Sequence, residues 1–165
     1  MNTALEEAIK EAYALAPAGV VYYHTLEFYH ERMSESIYVV QGFRHQVLTL
    51  ENDQDKTFLA MAFDFTLPAT NEGGLQELNL VVDNVENRVS NFCKEAVLFP
   101  APVEVIYRPY LSTDTSGPQL DPPLRLFLLN VRIADAQVSA RAVPADFLNL
   151  KFPTELYDSR RFPVL

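Results

Sequence analysis

The sequence predicts an α+β, mainly β fold: an antiparallel β-sandwich or barrel of about 7–8 strands, with an N-terminal helix and one flanking helix. Three observations predict it. Stretches of strand composition outnumber helical ones and do not alternate with them one for one, which argues against a doubly wound parallel fold. The connections between them are short. One stretch, Leu78–Phe92, changes period midway from an alternating strand to a helical stripe, so a strand face and a helix face share one core.

The first element is helical. Thr3-x-x-Glu6 is a capping box, and Leu5, Ala8, Ile9, Ala12 and Ala16 follow as an apolar stripe. The spacing predicts a helix over Ala4–Leu15 that stops before Pro17. The texture then becomes β. Val20–Tyr29 is rich in Val, Tyr, Thr and Phe, with Val20, Tyr22, His24, Leu26 and Phe28 on one face. Glu31–Ser36 reads as a loop and Ser36–Gln41 as a strand, with Gly42 marking a bulge or turn. Phe43–Leu50 follows as a strand, and Glu51–Lys56 as an acidic hairpin loop. Phe58–Leu67 is the clearest strand, with Leu59, Met61, Phe63, Phe65 and Leu67 pointing one way.

In the switching stretch, Leu78, Leu80 and Val82 share a strand face. Val85, Val89, Phe92, Cys93 and Ala96 form the helix stripe. Asp83-x-x-Glu86 looks like the capping box between them, so Asp83, Asn84 and Glu86 read as a scaffold joint. A ligand site there is disfavoured, because Asp83 and Glu86 already put negative charge where an anion would sit. The helix should end near Leu98, before Pro100 and Pro102. Val103–Leu111, Leu124–Ile133 and Val138–Val143 read as strands, the second apolar on both faces and therefore central. Ser112–Pro123, with three prolines, is the longest irregular segment. An extended tail follows over Pro153–Leu165, and the whole of residues 1–165 reads as one domain.

Charge and composition narrow the function. The net charge of −9 lies entirely in Met1–Phe99, with 6 basic and 15 acidic residues, while Pro100–Leu165 balances 7 against 7. That disfavours a sequence-independent hold on nucleic acid, which needs Lys and Arg. One cysteine, Cys93, allows no intrachain disulfide, and it sits on the apolar stripe, where a free thiol behaves as a small hydrophobe. No apolar run is long enough to span a membrane. Glu6, Glu7 and Glu11 stand where a signal peptide would be basic and apolar, so synthesis and folding are expected in the cytoplasm.

Chemistry-bearing patterns are weak. His24 and His30 would lie about 20 Å apart on one strand face, which excludes a shared metal. No Gly-x-Ser-x-Gly and no Gly-rich phosphate loop occurs. Asp64 and Glu104 are carboxylates that adjacent strands could pair, but nothing in the sequence fixes their register. The expectation is no enzyme, no cofactor and no metal. Tyr22, Tyr23, Tyr29 and Tyr38 cluster early, and tyrosines left on an outer face favour protein contact.

The order of short motifs is also informative. Leu26-Glu27-Phe28-Tyr29-His30 precedes Ile37-Tyr38-Val39-Val40, then Phe65-Thr66-Leu67-Pro68 and Val82-Asp83-Asn84-Val85-Glu86-Asn87. Arg161-Phe162-Pro163-Val164-Leu165 closes the series. In that order they resemble an uncharacterised family of phage and prophage tail-associated proteins, domain-of-unknown-function family 1833. Glu31 and Val164 depart from the family pattern, which tends to carry proline and glycine there. The resemblance implies a tail-tube-like fold and a minor tail or tail-tip protein that assembles into rings with itself and with other tail proteins. It would reside in the cytoplasm during assembly and in the virion tail afterwards. It brings no catalytic residues. The implied locking parts are the N-terminal helix, the Ser112–Pro123 loop and the tail, with Tyr23, Tyr29, Arg160, Arg161 and Phe162 as the candidate assembly surface. The alternative is a small-molecule-binding β-barrel, which needs a closed apolar cavity.

Overall fold

Period-two alternation yields nine strands among the residues that the computed structural model describes, 20–66, 78–83, 87–134 and 137–144. They are β1 (Tyr22–Tyr29), β2 (Ile37–Gln41), β3 (Gln46–Thr49), β4 (Asp55–Met61), β5 (Phe63–Thr66) and β6 (Leu78–Asp83). After one helix, α1 (Arg88–Ala96), come β7 (Glu104–Leu111), β8 (Leu124–Ala134) and β9 (Gln137–Pro144).

The expected antiparallel sandwich or barrel is not what forms. The strands make one mixed sheet in the order β3-β4-β2-β1-β7-β8-β9-β6-β5. β2 and β4 pair in parallel, Val39 opposite Leu59. A parallel pair needs a long connection, and the chain from Gly42 to Gln54, which contains β3, supplies it. Alternation is the same for either pairing direction, so it reveals faces and not partners. The predicted N-terminal helix (4–15) and C-terminal tail (153–165) lie outside the described residues. Among the described residues the helix is mid-chain.

The predicted single strand Phe58–Leu67 divides at Ala62. Its first part pairs with β2 and β3, its second, among the described residues, with β6 alone. The amide of Gly42 donates to Met61 O at 3.3 Å, and that of Asp83 donates to Ala62 O at 2.8 Å. The Gln41 Nε2 donates to Phe63 O at 2.6 Å. One extended run thus serves both ends of the sheet order, and the sheet curls without closing into a barrel.

Curling gives two apolar cores. Leu26, Phe28, Val39, Met61, Phe63, Leu80, Val82, Val105, Leu126 and Leu128 fill the inner one, and α1 covers it with Val89, Phe92, Cys93 and Ala96. These are four of the five residues of the predicted stripe; the fifth, Val85, lies outside the described residues. The helix itself starts later than the Asp83 capping box implies. Its N-cap is Asn87, in the left-handed region at φ 56°, with no side-chain capping bond. The outer core joins Val40, Leu48, Leu50, Phe58 and Tyr110. There Phe58 meets Tyr38 and Tyr110 edge-on, at 5.3 and 6.1 Å between ring centroids.

Candidate functional site

The densest polar constellation lies on the outer side of β1 and β7. Alternation in TLEFY sends Leu26 and Phe28 inward and Thr25 and Glu27 outward. Register sets Thr25 opposite Arg108 and Glu27 opposite Ile106, so Arg108 lies diagonally across from Glu27. Arg108 Nη1 donates to Glu27 Oε2 at 2.7 Å and Nε donates to Glu51 Oε1 at 2.6 Å. The side chains of Arg108 and Glu27 are 5% and 8% exposed, and Glu51 reaches them from the β3–β4 turn at 29%. Burial alone would lower the Arg108 pKa, but its hydrogen bonds to Glu51 and Glu27 outweigh that and raise it. The phenol of Tyr38 is pushed up by burial and then by the charge of Glu27. Burial also raises Tyr110, whose hydroxyl donates to Thr49 O at 2.9 Å. Thr25 Oγ1 donates to Arg108 O at 2.7 Å.

Two carboxylates on one guanidinium form a clamp. A general acid or base must reach a substrate proton, and Glu27 and Arg108 lie buried beneath the β3–β4 hairpin. The clamp fastens that hairpin to the centre of the sheet. The sequence carried a signal for it: Glu27 and Arg108 are single charges inside the apolar strands TLEFY and VIYRPY.

The predicted residues scatter. Asp83 ends β6, where it is opposite Gln137; Asn84 and Glu86 lie outside the described residues. Tyr23 packs on the outer core, whereas Tyr29 is 39% exposed at the far end of β1, about 20 Å away. Arg160, Arg161 and Phe162 lie outside the described residues. Asp64 and Glu104 sit on β5 and β7, which are not neighbours, and Glu104 pairs with Arg125 at 3.0 Å.

Each histidine has a structural partner. His24 Nδ1 is 2.8 Å from the Tyr107 hydroxyl. His30, 1% exposed, accepts the Arg32 amide at Nδ1, so its Nε2–H donates to Ala101 O at 3.0 Å. His45 Nδ1 accepts the Ala60 amide at 2.9 Å. No His, Cys, Asp and Glu group able to hold a metal occurs among the described residues. Cys93 is buried, which pushes its thiol up to about 11. The Ser112–Pro123 loop is tied down: Thr115 O accepts the Thr49 amide at 3.1 Å and Pro109 O accepts that of Gln119 at 2.7 Å. Its first tie covers part of the free edge of β3.

Open surface lies elsewhere. A groove of about 750 Å³ runs between α1 and the β1–β2 turn, with Met33, Ile37, Leu59 and Phe92 among Arg32, Glu35, Arg88 and Glu95. A second hollow of about 310 Å³ lies beside Gly42, Phe43, His45 and Asp83. Inside the sheet, a void of about 10 Å³ is bounded by Leu26, Leu80, Val105, Tyr107, Leu124, Leu126 and Ala142. Phe43 is 105% exposed and Val47 61%.

Residues 8–157 match the model of a family described as a domain of unknown function (DUF1833). A search of curated proteins finds no match.

Proposed function

We propose a structural role for this chain, which belongs to the DUF1833 family: a component of a phage or prophage tail that works by protein–protein assembly. The observation that carries this reading is the β2–β3 corner. Phe43 stands wholly in solvent and Val47, on the edge strand β3, is 61% exposed. An exposed apolar pair on and beside an edge strand is a surface suited to contact with another protein. The buried clamp supports the same reading, since Arg108 ties the β3–β4 turn, at the other end of β3, to the sheet. The ordered motifs from Leu26 to Leu165 supply the tail context.

Among the described residues, the apolar void inside the sheet gives the ligand-binding alternative little support. The void of about 10 Å³ holds about one water-sized probe. A drug-sized ligand needs several hundred cubic ångströms, on the order of 300–1,000 Å³.

The test is to express the tagged full chain in the cells that carry it, induce particle formation and fractionate particles on a density gradient. The chain is expected in the particle fraction, at the tail by immunogold labelling. Complete, infectious tails in cells lacking the chain would overturn the reading.

A further inference from the structure

The outward face of β8, β9, β6 and β5 carries a graded row of charge. Register sets Arg132 opposite Ser139, Ser139 opposite Val81, and Val81 opposite Asp64. All four alternate away from the inner-core residues Leu80, Val82, Val138 and Ala140. The row therefore runs from a cation, across a polar and an apolar residue, to an anion. Strands about 4.8 Å apart separate Arg132 and Asp64 by about 14 Å, too far to pair within one chain. Both are exposed, and Val81 and the adjacent Leu129 are each 37% exposed. The rows on either side carry one charge each on β9 and β6: Arg141 lies opposite Asn79, and Asp83 opposite Gln137.

We propose that this face is self-complementary and that its occupant is a second copy of this chain. The two copies pack face to face about a two-fold axis parallel to the strands, between β9 and β6. Such an axis keeps position along the strands, reverses their order and turns the face over. β8 then lies over β5 of the second copy, so Arg132 meets Asp64 twice, as an isologous contact requires. Val81 meets Ser139, and Leu129 packs beside the Arg132 contact. The sheets stack about 10 Å apart with aligned strands. Four strands by about six residues cover on the order of 400 Å² per copy. That is about half of what a standard interface buries per partner. The dimer is therefore weak, forms at high local concentration and loosens with salt.

This contact goes beyond the assembly reading and does not need it, so the particle experiment and the following one fail separately. The full chain is examined by sedimentation equilibrium from micromolar to millimolar concentration, at low and high salt. The wild type is expected to form dimers that salt dissociates. Asp64→Lys and Arg132→Glu should each weaken association about tenfold, because like charges then face each other twice. An equimolar mixture of the two should recover it, since every introduced charge then meets its opposite. Thermal melts confirm that both variants are folded. Asp64→Asn and Arg132→Gln should weaken the dimer while removing its salt dependence. A wild type that stays monomeric at low salt, a mixture no stronger than either variant alone, or trimers and larger species would each overturn the proposal.

Discussion

Arg108 and Glu51, 57 residues apart in sequence, are joined at 2.6 Å beneath the β3–β4 turn, and the same guanidinium holds the buried Glu27 at 2.7 Å. Arg108→Met strands a carboxylate whose side chain is 8% exposed and should cost about 3–5 kcal/mol. Glu51→Gln keeps an acceptor at a wetter position and should cost about 1 kcal/mol. Urea unfolding of both variants measures the difference. Equal losses would mean that the turn contact, and not the buried pair, holds the clamp.

His24 makes stability depend on pH. Burial lowers its pKa below the ordinary 6.5, and the neutral ring stacks on Tyr107 at 6.0 Å. As pH falls, the unfolded chain takes up the proton first. Its contribution is complete above the unfolded value of 6.5 and is lost as pH falls from there toward the folded value. His24→Gln should flatten that part of the stability profile, read from denaturation midpoints across mildly acidic pH. An unchanged slope would assign the dependence to other groups.

The helix start offers a backbone test. Asn87 holds φ 56° with no side-chain cap. Asn87→Gly should leave stability within a few tenths of a kcal/mol or raise it, whereas Asn87→Val should lose about 1–2 kcal/mol. Asp83→Ala, four residues before the N-cap of a helix that begins at Arg88, should cost under about 0.5 kcal/mol. A loss near 1 kcal/mol would restore Asp83 as the cap.

Cys93 should resist thiol reagents in the native state. It is 1% exposed, and burial holds its thiol at about 11, so almost no thiolate forms near neutral pH. Labelling with a disulfide reagent should wait for denaturant. Reaction at the rate of a free thiol would show that α1 lifts from the sheet.

How much of this was legible depends on what each residue pattern encodes. Alternation placed Leu26, Phe28, Met61, Phe63, Leu80 and Val82 on the inner face, and helical spacing found Val89, Phe92, Cys93 and Ala96. These are local periodicities, fixed by backbone geometry alone. Strand partners are long-range, so the parallel β2–β4 pair and the open sheet order were not written in any one stretch. The capping box at Asp83 misled about where the helix begins because spacing alone does not fix an N-cap; the left-handed Asn87 starts the helix instead. The clamp was visible only as isolated charges in apolar strands, and Glu51 looked like any residue of an acidic loop.

The division at Ala62 has a consequence for how the fold comes apart. The amides of Gly42 and Asp83, 41 residues apart, donate to the neighbouring carbonyls of Met61 and Ala62. Opening that short piece of backbone releases both. The two ends of the sheet order therefore cannot fray as independent units, and hydrogen exchange should give these two amides matching protection. A large gap between them would mean that β4 and β5 open as separate strands.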